Sequence, residues 1–199
     1  MLDLVEDQGV DLALCVGDLV DGDGDASACC RMLMEAGVVT VRGNHDRWFL
    51  EDRDFRRETF GDHRTRALDA DARTWLEALP ALHRIDTVAG RVLLCHGLGS
   101  NDMCGVEPGM ARQQVEQLPD WQREGSGARV VLLGHTHRAM MRRIGGTVLL
   151  NPGALGGHHP RIPADRGLAI LDLGAGTRDV YDASDAGVRH WCQDLLPLP

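Results

Sequence analysis

A chain of 199 residues, 43% hydrophobic and 26% charged, is long enough for one domain with a substantial core and too ordinary in composition for a disordered or fibrous protein. Only 4% is aromatic, so the core is expected to be built from Leu, Val, Ala and Ile. The formal net charge of -9, with every one of the 21 basic side chains an arginine, argues against a long nucleic acid as partner, because such affinity rests on neutralising phosphates. Small anionic substrates stay open, since a bound cation inverts the local field.

The N-terminal stretch "MLDLVEDQGV" has neither a basic region nor an apolar signal core, and no run approaches the roughly 18 apolar residues of a membrane span. A cytoplasmic protein without membrane contact is expected. Cysteines at 15, 29, 30, 95, 104 and 192 show no C-x-x-C spacing, which argues against a zinc ribbon or a dithiol redox pair. Cys15 and Cys95 sit inside apolar runs and read as small buried thiols.

Along the chain, short apolar runs end in Gly plus a polar residue and alternate with helical stretches. "DLALCVGD" reads as a first strand, followed by a helix from Ser27 to Ala36 and a second strand, "GVVTVRGN". Helices are expected from Asp46 to about Phe60 and from Asp71 to Leu79, the latter stopped by Pro80. The run "RVLLCHG", a helix from Met110 to Leu118 and the run "RVVLLGH" come next. Unalternating apolar runs of this length read as strands buried on both faces, as in layered α/β folds. The close-set "RAMMRRI", "GTVLLNPG" and "GLAILDL" read as an antiparallel or mixed sheet. The last segment, "DASDAGVRHWCQDLLPLP", is expected to form a short helix before a frayed tail. No repeat or linker divides the chain, so residues 1–199 read as one domain.

Four strand ends carry the chemistry: "GDLVD" (Gly17 to Asp21), "GNHD" (Gly43 to Asp46), "HG" (His96, Gly97) and "GHTH" (Gly134 to His137). Residues just beyond neighbouring strands converge on one site although far apart in sequence. Asp carboxylate, Asn carbonyl and imidazoles suit a borderline divalent metal better than a soft one. A lone histidine after a strand is more often a hydrogen-bonded structural one; four such elements in this order make that reading improbable.

This ordered set, GD-x-x-D, GNHD, HG and GHTH, is similar to the calcineurin-like metallophosphoesterases, and "NPGALG" (Asn151 to Gly156) resembles the loop of their compact bacterial and archaeal phosphodiesterase branch. The resemblance runs from Gly17 to about Gly157. It implies an α/β (α+β) fold, a four-layer αββα sandwich of two mixed sheets flanked by helices. It implies two divalent ions, among Mn, Fe, Zn, Ni and Co, with Asp18 bridging them. Asn44, His96 and His135 would complete the second metal's shell, and His137 would bind the first. His45 resembles the proton donor to the leaving oxygen, and Asp21 the carboxylate that orients it. Asp46 reads as fixing the local turn.

The family begins with a strand ending in D-x-H, which supplies the first metal's remaining ligands, and no such element is present here. A chain apparently truncated at its N-terminus, lacking the family's first strand, is expected, with a first-metal site that is incomplete. It should bind the second metal better than the first and turn over weakly. The function implied is hydrolysis of a small phosphate ester, phosphodiester or nucleotide-type, by a metal-activated water. The alternative is an impaired member of the fold acting as an interaction scaffold. Oligomeric state is left open.

"DGDGDA" fails as a calcium loop, because Ala26 and Met32 stand where Gly and Glu are needed. Asn101, with Asp102, could line a substrate pocket or a plain loop; Gly153 could present its amide to an anion or only make a turn. "RWFLEDRDFRRE" reads as an ion-paired helix face ahead of phosphate recognition, and the four Trp as packing residues.

Overall fold

The computed structural model describes residues 2–22, 24–53, 64–155, 167–184 and 187–191. After a short helix, α1 (Leu2–Asp7), the strands β1 (Leu14–Cys15) and β2 (Val39–Thr40) pair in parallel around α2 (Ala26–Glu35). Asp25 caps α2 by accepting the Ala28 N–H at 3.0 Å. Next come α3 (Asn44–Leu50) and α4 (Ala70–Ala78), the latter capped by Asp69, which accepts the Ala72 N–H at 2.8 Å.

The main sheet is mixed: β3 (Leu82–Thr87), β4 (Gly90–Cys95), β5 (Val130–Leu132), β7 (Thr147–Asn151) and β6 (Met140–Ile144) lie in the spatial order β3-β4-β5-β7-β6. Its three inner strands, β4, β5 and β7, run parallel, with Leu94 opposite Leu132 and Leu132 opposite Leu150. A third, antiparallel sheet joins β8 (Gly167–Asp172), β9 (Thr177–Ser184) and β10 (Gly187–Trp191).

The period-2 alternation of a strand explains the layers. Val92, Leu94, Val130, Leu132, Val148 and Leu150 point to one face and meet Leu14, Val16, Val39, Ala169 and Leu171 from the smaller sheets. Leu93, Cys95, Val131, Leu133 and Leu149 point to the other and meet Val115 and Trp121, from α5 (Arg112–Glu116) and a π-helical turn (Trp121–Gly125). Val20, Phe49, Leu76 and Leu79 form a third core among the remaining helices. The α/β layered architecture expected from the sequence is therefore present: a five-stranded mixed sheet, smaller sheets against it, and helices outside.

Several boundaries differ from the sequence reading. The helix expected from Asp46 to Phe60 starts at Asn44 and ends at Leu50, where Asp52 turns left-handed at φ 50°; residues 54–63 lie outside the described set. The helix expected over 110–118 is only Arg112–Glu116, and Pro119 prevents its continuation. Within the segment expected to hold a C-terminal helix, Gly187–Trp191 form β10, where Val188 and Trp191 suit a strand paired with β9, and residues 192–199 lie outside the described set. Edge strand β3 has no counterpart in the sequence reading, since His83, Arg84 and Asp86 interrupt its apolar positions. Among the described residues no helix is long and apolar enough to cross a membrane.

Candidate metal centre

The loops after β1, β2, β4 and β5 meet at one edge of the sheets. Asp18 and His135 are both left-handed, at φ 60° and 63°, as are Asp21 and His137 at 61° and 56°. Such backbone is costly for residues with a Cβ and persists where surrounding structure enforces it. Here it aims four side chains named from the sequence.

Asp18 occupies the centre. Its Oδ1 accepts the His45 N–H at 3.0 Å. Its Oδ2 is buried with no hydrogen-bond partner, yet lies 3.3 Å from His96 Nε2, 3.7 Å from His137 Nε2 and 3.8 Å from His45 Nε2. Burial pushes the Asp18 carboxyl up, but the charge of His96 and contacts with His137 and His45 outweigh it and hold the group well below the usual carboxylate range. Asp18, His45 and His137 each bring a ligand atom within 4.8 Å of the others.

Asn44 and His96 are each only 2% exposed. His96 Nδ1–H donates to the Val16 carbonyl at 2.6 Å, so in the neutral ring Nε2 carries a lone pair. That lone pair faces Asn44 Oδ1 at 2.8 Å and Asp18 Oδ2 at 3.3 Å. His135 Nδ1 reaches the same Asn44 oxygen at 2.8 Å. Acceptors facing acceptors are stable only with a cation or a proton among them. Without a metal, the proton answers: burial opposes charge on His96, but Asp18 raises its pKa to about 9. His135, disfavoured by burial and by repulsion from His96, falls to about 4 and keeps a free ligand nitrogen. A backbone carbonyl fixing the far nitrogen of a ligand histidine is the outer-shell arrangement metal sites use. The residues present thus fit a divalent ion.

His45 packs beside this group. Its Nδ1 is 3.6 Å from Asp21 Oδ2. Burial disfavours its charge, but the neighbouring Asp21 and Asp18 carboxylates raise its pKa. Asp21 is held in turn by Thr65, whose N–H donates to Oδ1 at 2.9 Å while its hydroxyl accepts the Asp21 N–H at 2.9 Å.

The family comparison agrees with this geometry. The model of the calcineurin-like phosphoesterase superfamily domain matches residues 1–176. The chain belongs to that superfamily. No curated protein shows significant similarity to it. Solved structures share the fold at low identity. Wild-type Vps29 from Entamoeba histolytica, complexed with Zn²⁺, is 20% identical with a TM-score of 0.61, covering 97% of this chain and 87% of that one. A metallophosphoesterase from Sphaerobacter thermophilus is 18% identical with a TM-score of 0.57, covering 98% and 82%. The phosphoesterase Yfce from E. coli is 18% identical with a TM-score of 0.54, covering 97% and 90%.

Several groups hold this calcineurin-like site together through long-range partnerships that the sequence reading does not assign. Asn151 is buried and donates to the Gly134 carbonyl at 2.7 Å and to Thr136 Oγ1 at 3.1 Å, clamping the GHTH loop. Thr65 lies 44 residues from Asp21, a separation no local pattern reveals. Asp46, read as a turn residue, ties two loops: it accepts the N–H groups of Gly43, Leu19 and Asp18 at 2.8, 2.8 and 3.0 Å.

Asn101 lies on the loop after β4; its Oδ1 takes the Met103 N–H at 3.1 Å and its amide reaches Asp120 at 3.5 Å. Gly153 donates its N–H to Asn151 Oδ1 at 2.9 Å, in the turn that follows β7. Arg47 is ion-paired with Asp102 at 2.6 Å and Arg53 with Glu51 at 2.7 Å, so these described arginines follow the ion-paired reading. Burial pushes the thiols of Cys15 and Cys95 up to about 12, away from the thiolate a metal would need.

Glycine is required where these loops touch. A Cβ on Gly43 would stand 2.1 Å from Asp18 Oδ1, and one on Gly17 2.6 Å from the Gly43 nitrogen. Gly43→Ala is expected to cost about 1–3 kcal/mol, the range for overpacking, and to weaken metal binding with it. A wild-type urea midpoint and metal affinity in that variant would contradict the close approach.

Proposed function

We propose that the chain is a metal-dependent phosphoesterase acting on small phosphate esters, with nucleotide-type diesters ahead of dinucleoside polyphosphates and phosphoprotein monoesters. The observation that carries the reading is the buried, unpartnered Asp18 Oδ2 ringed by imidazoles, with Asn44 Oδ1 shared by His96 and His135. Asp18 would bridge two divalent ions, Asn44, His96 and His135 would hold the second, and His137 the first. Bound divalent ions supply Lewis acidity toward phosphoryl oxygens and a water acidic enough to attack at neutral pH.

This chain's own residues supply the rest. His45, its charged form favoured by Asp21 and Asp18, carries a proton for the departing oxygen. Asp21, anchored on Thr65, fixes the ring that delivers it. The loops of Asn101 and Gly153 flank the centre as the substrate's approach: Gly105, on the former, packs beside His135, and Asn151, which holds the latter, clamps Gly134.

The test is hydrolysis of bis-p-nitrophenyl phosphate with Mn²⁺ or Ni²⁺ added. Turnover that His135→Ala abolishes is expected, and His45→Ala should slow it by about a hundredfold to ten-thousandfold with metal still bound, the range for a general acid. Metal binding without turnover on any ester would replace the enzyme with a fold-retaining interaction scaffold.

A further inference from the structure

At the edge of the main sheet opposite the metal centre lies a cavity of about 460 Å³, lined where β4, β5 and β7 begin. That volume is within the roughly 300–1,000 Å³ of small-molecule sites. A strand of six residues such as β4 separates the two sites by about 20 Å at ~3.3 Å per residue. The cavity belongs to none of the machinery described above.

Its charged residues are unequally satisfied. Glu116 is bonded to Arg112 at 2.8 Å, and Arg91 to Asp86 at 3.2 Å. Arg129 differs. Its Nε is buried and has no hydrogen-bond partner, and its guanidinium has no ion pair among the described residues. In a chain of net charge -9 an unanswered arginine is unexpected, because carboxylates are abundant. A buried donor without an acceptor carries an uncompensated desolvation cost.

The surroundings hold Arg129 in place. Its N–H donates to the Arg91 carbonyl at 2.7 Å, and Thr147 Oγ1 donates to the neighbouring Ala128 carbonyl at 2.6 Å. A Cβ on Gly90 would stand 3.2 Å from Arg129 Cβ, so glycine gives the stem its room. Trp121, almost wholly buried, supplies an apolar wall. A planar fork of N–H donors matches an oxyanion, and Arg91 can turn toward the same ligand because its pair with Asp86 is solvent-exposed.

We infer that this cavity is a second binding site, taking a small organic oxyanion, a carboxylate or a phosphate, on Arg129 with its apolar body against Trp121. It stands apart from the phosphoesterase reading and does not depend on it.

The test is NMR on the full, metal-free chain, following the Arg129 Nε–H and Trp121 indole N–H signals. The probes are inorganic phosphate and succinate, with chloride at matched ionic strength. A saturable shift of both signals with either probe and none with chloride is expected, and the responding probe names the anion. R129Q should lose it, and R129K, which keeps charge without the fork, should weaken it several-fold. No shift at Arg129, or equal linear shifts with chloride, would overturn the site. So would saturation that persists in R129Q. If R129Q does not fold, the wild-type and R129K titrations decide alone. Because both readouts are local to the cavity, phosphate at the metal centre cannot mimic them.

Discussion

Replacing Asp46 by alanine is expected to destabilise the protein by about 3–6 kcal/mol, because three backbone N–H groups lose a charged acceptor worth roughly 1.5–3 kcal/mol each, offset in part by water entering the gap. Those N–H groups belong to Gly43, Leu19 and Asp18, on two loops that are also joined by the His45 N–H bond to Asp18 Oδ1. Asp46 is fully buried. Burial and the Asp18 charge push its carboxyl up to about 6 against the pull of the Gly43 and Leu19 amides. Relief of that repulsion keeps the loss below the full sum. Against a typical total stability of about 5–15 kcal/mol, the variant should unfold at a far lower urea concentration with an unchanged slope. A midpoint matching the wild type would show that the loops are held by other contacts. Asp46→Asn, which keeps an acceptor on one side only, should fall between the two.

That carboxylate also marks how far the sequence can be read. The apolar runs before His96 and Gly134 announced β4 and β5, and the layered fold followed from their lack of alternation. The four motifs that meet at the candidate centre were legible because each strand must end before its loop can turn, and the glycines beside them recorded where loops approach. What stayed hidden was long-range. Thr65 holding Asp21, Asn151 clamping Gly134 and Asp46 spanning two loops are partnerships between distant segments, and no local periodicity encodes them. α3 is shorter than its sequence suggests for a related reason: its charged continuation suits a helix by propensity, and the left-handed turn at Asp52 ends it. Edge strand β3, polar on its outer positions, carries too little apolar signal to stand out.

Asp18→Asn should give the opposite phenotype to Asp46→Ala: divalent binding weakened by at least about 100-fold, the upper end of what losing even an outer-shell partner costs, with the metal-free fold kept. Asp46 is buried and Asp18 half-buried, and their loops touch, yet their oxygens are used differently. Those of Asp46 are filled by backbone N–H groups, while Asp18 spends Oδ1 on the His45 N–H and leaves Oδ2 unpartnered before His96, His137 and His45. Asparagine keeps the Oδ1 acceptor and tolerates the left-handed φ of 60° at this position. It removes the one anionic oxygen that both metal positions would share. Calorimetric titration with Co²⁺ and thermal unfolding with and without the ion separate the cases. The wild type should gain thermal stability on adding Co²⁺, and the variant should not, while their metal-free melting temperatures stay close. Retained affinity in Asp18→Asn would remove the bridging carboxylate from the centre and leave Asn44, His96 and His135 as the whole of it. Collapse of the metal-free variant would instead make Asp18 a second structural clamp like Asp46, and its empty oxygen would then need another explanation than a metal.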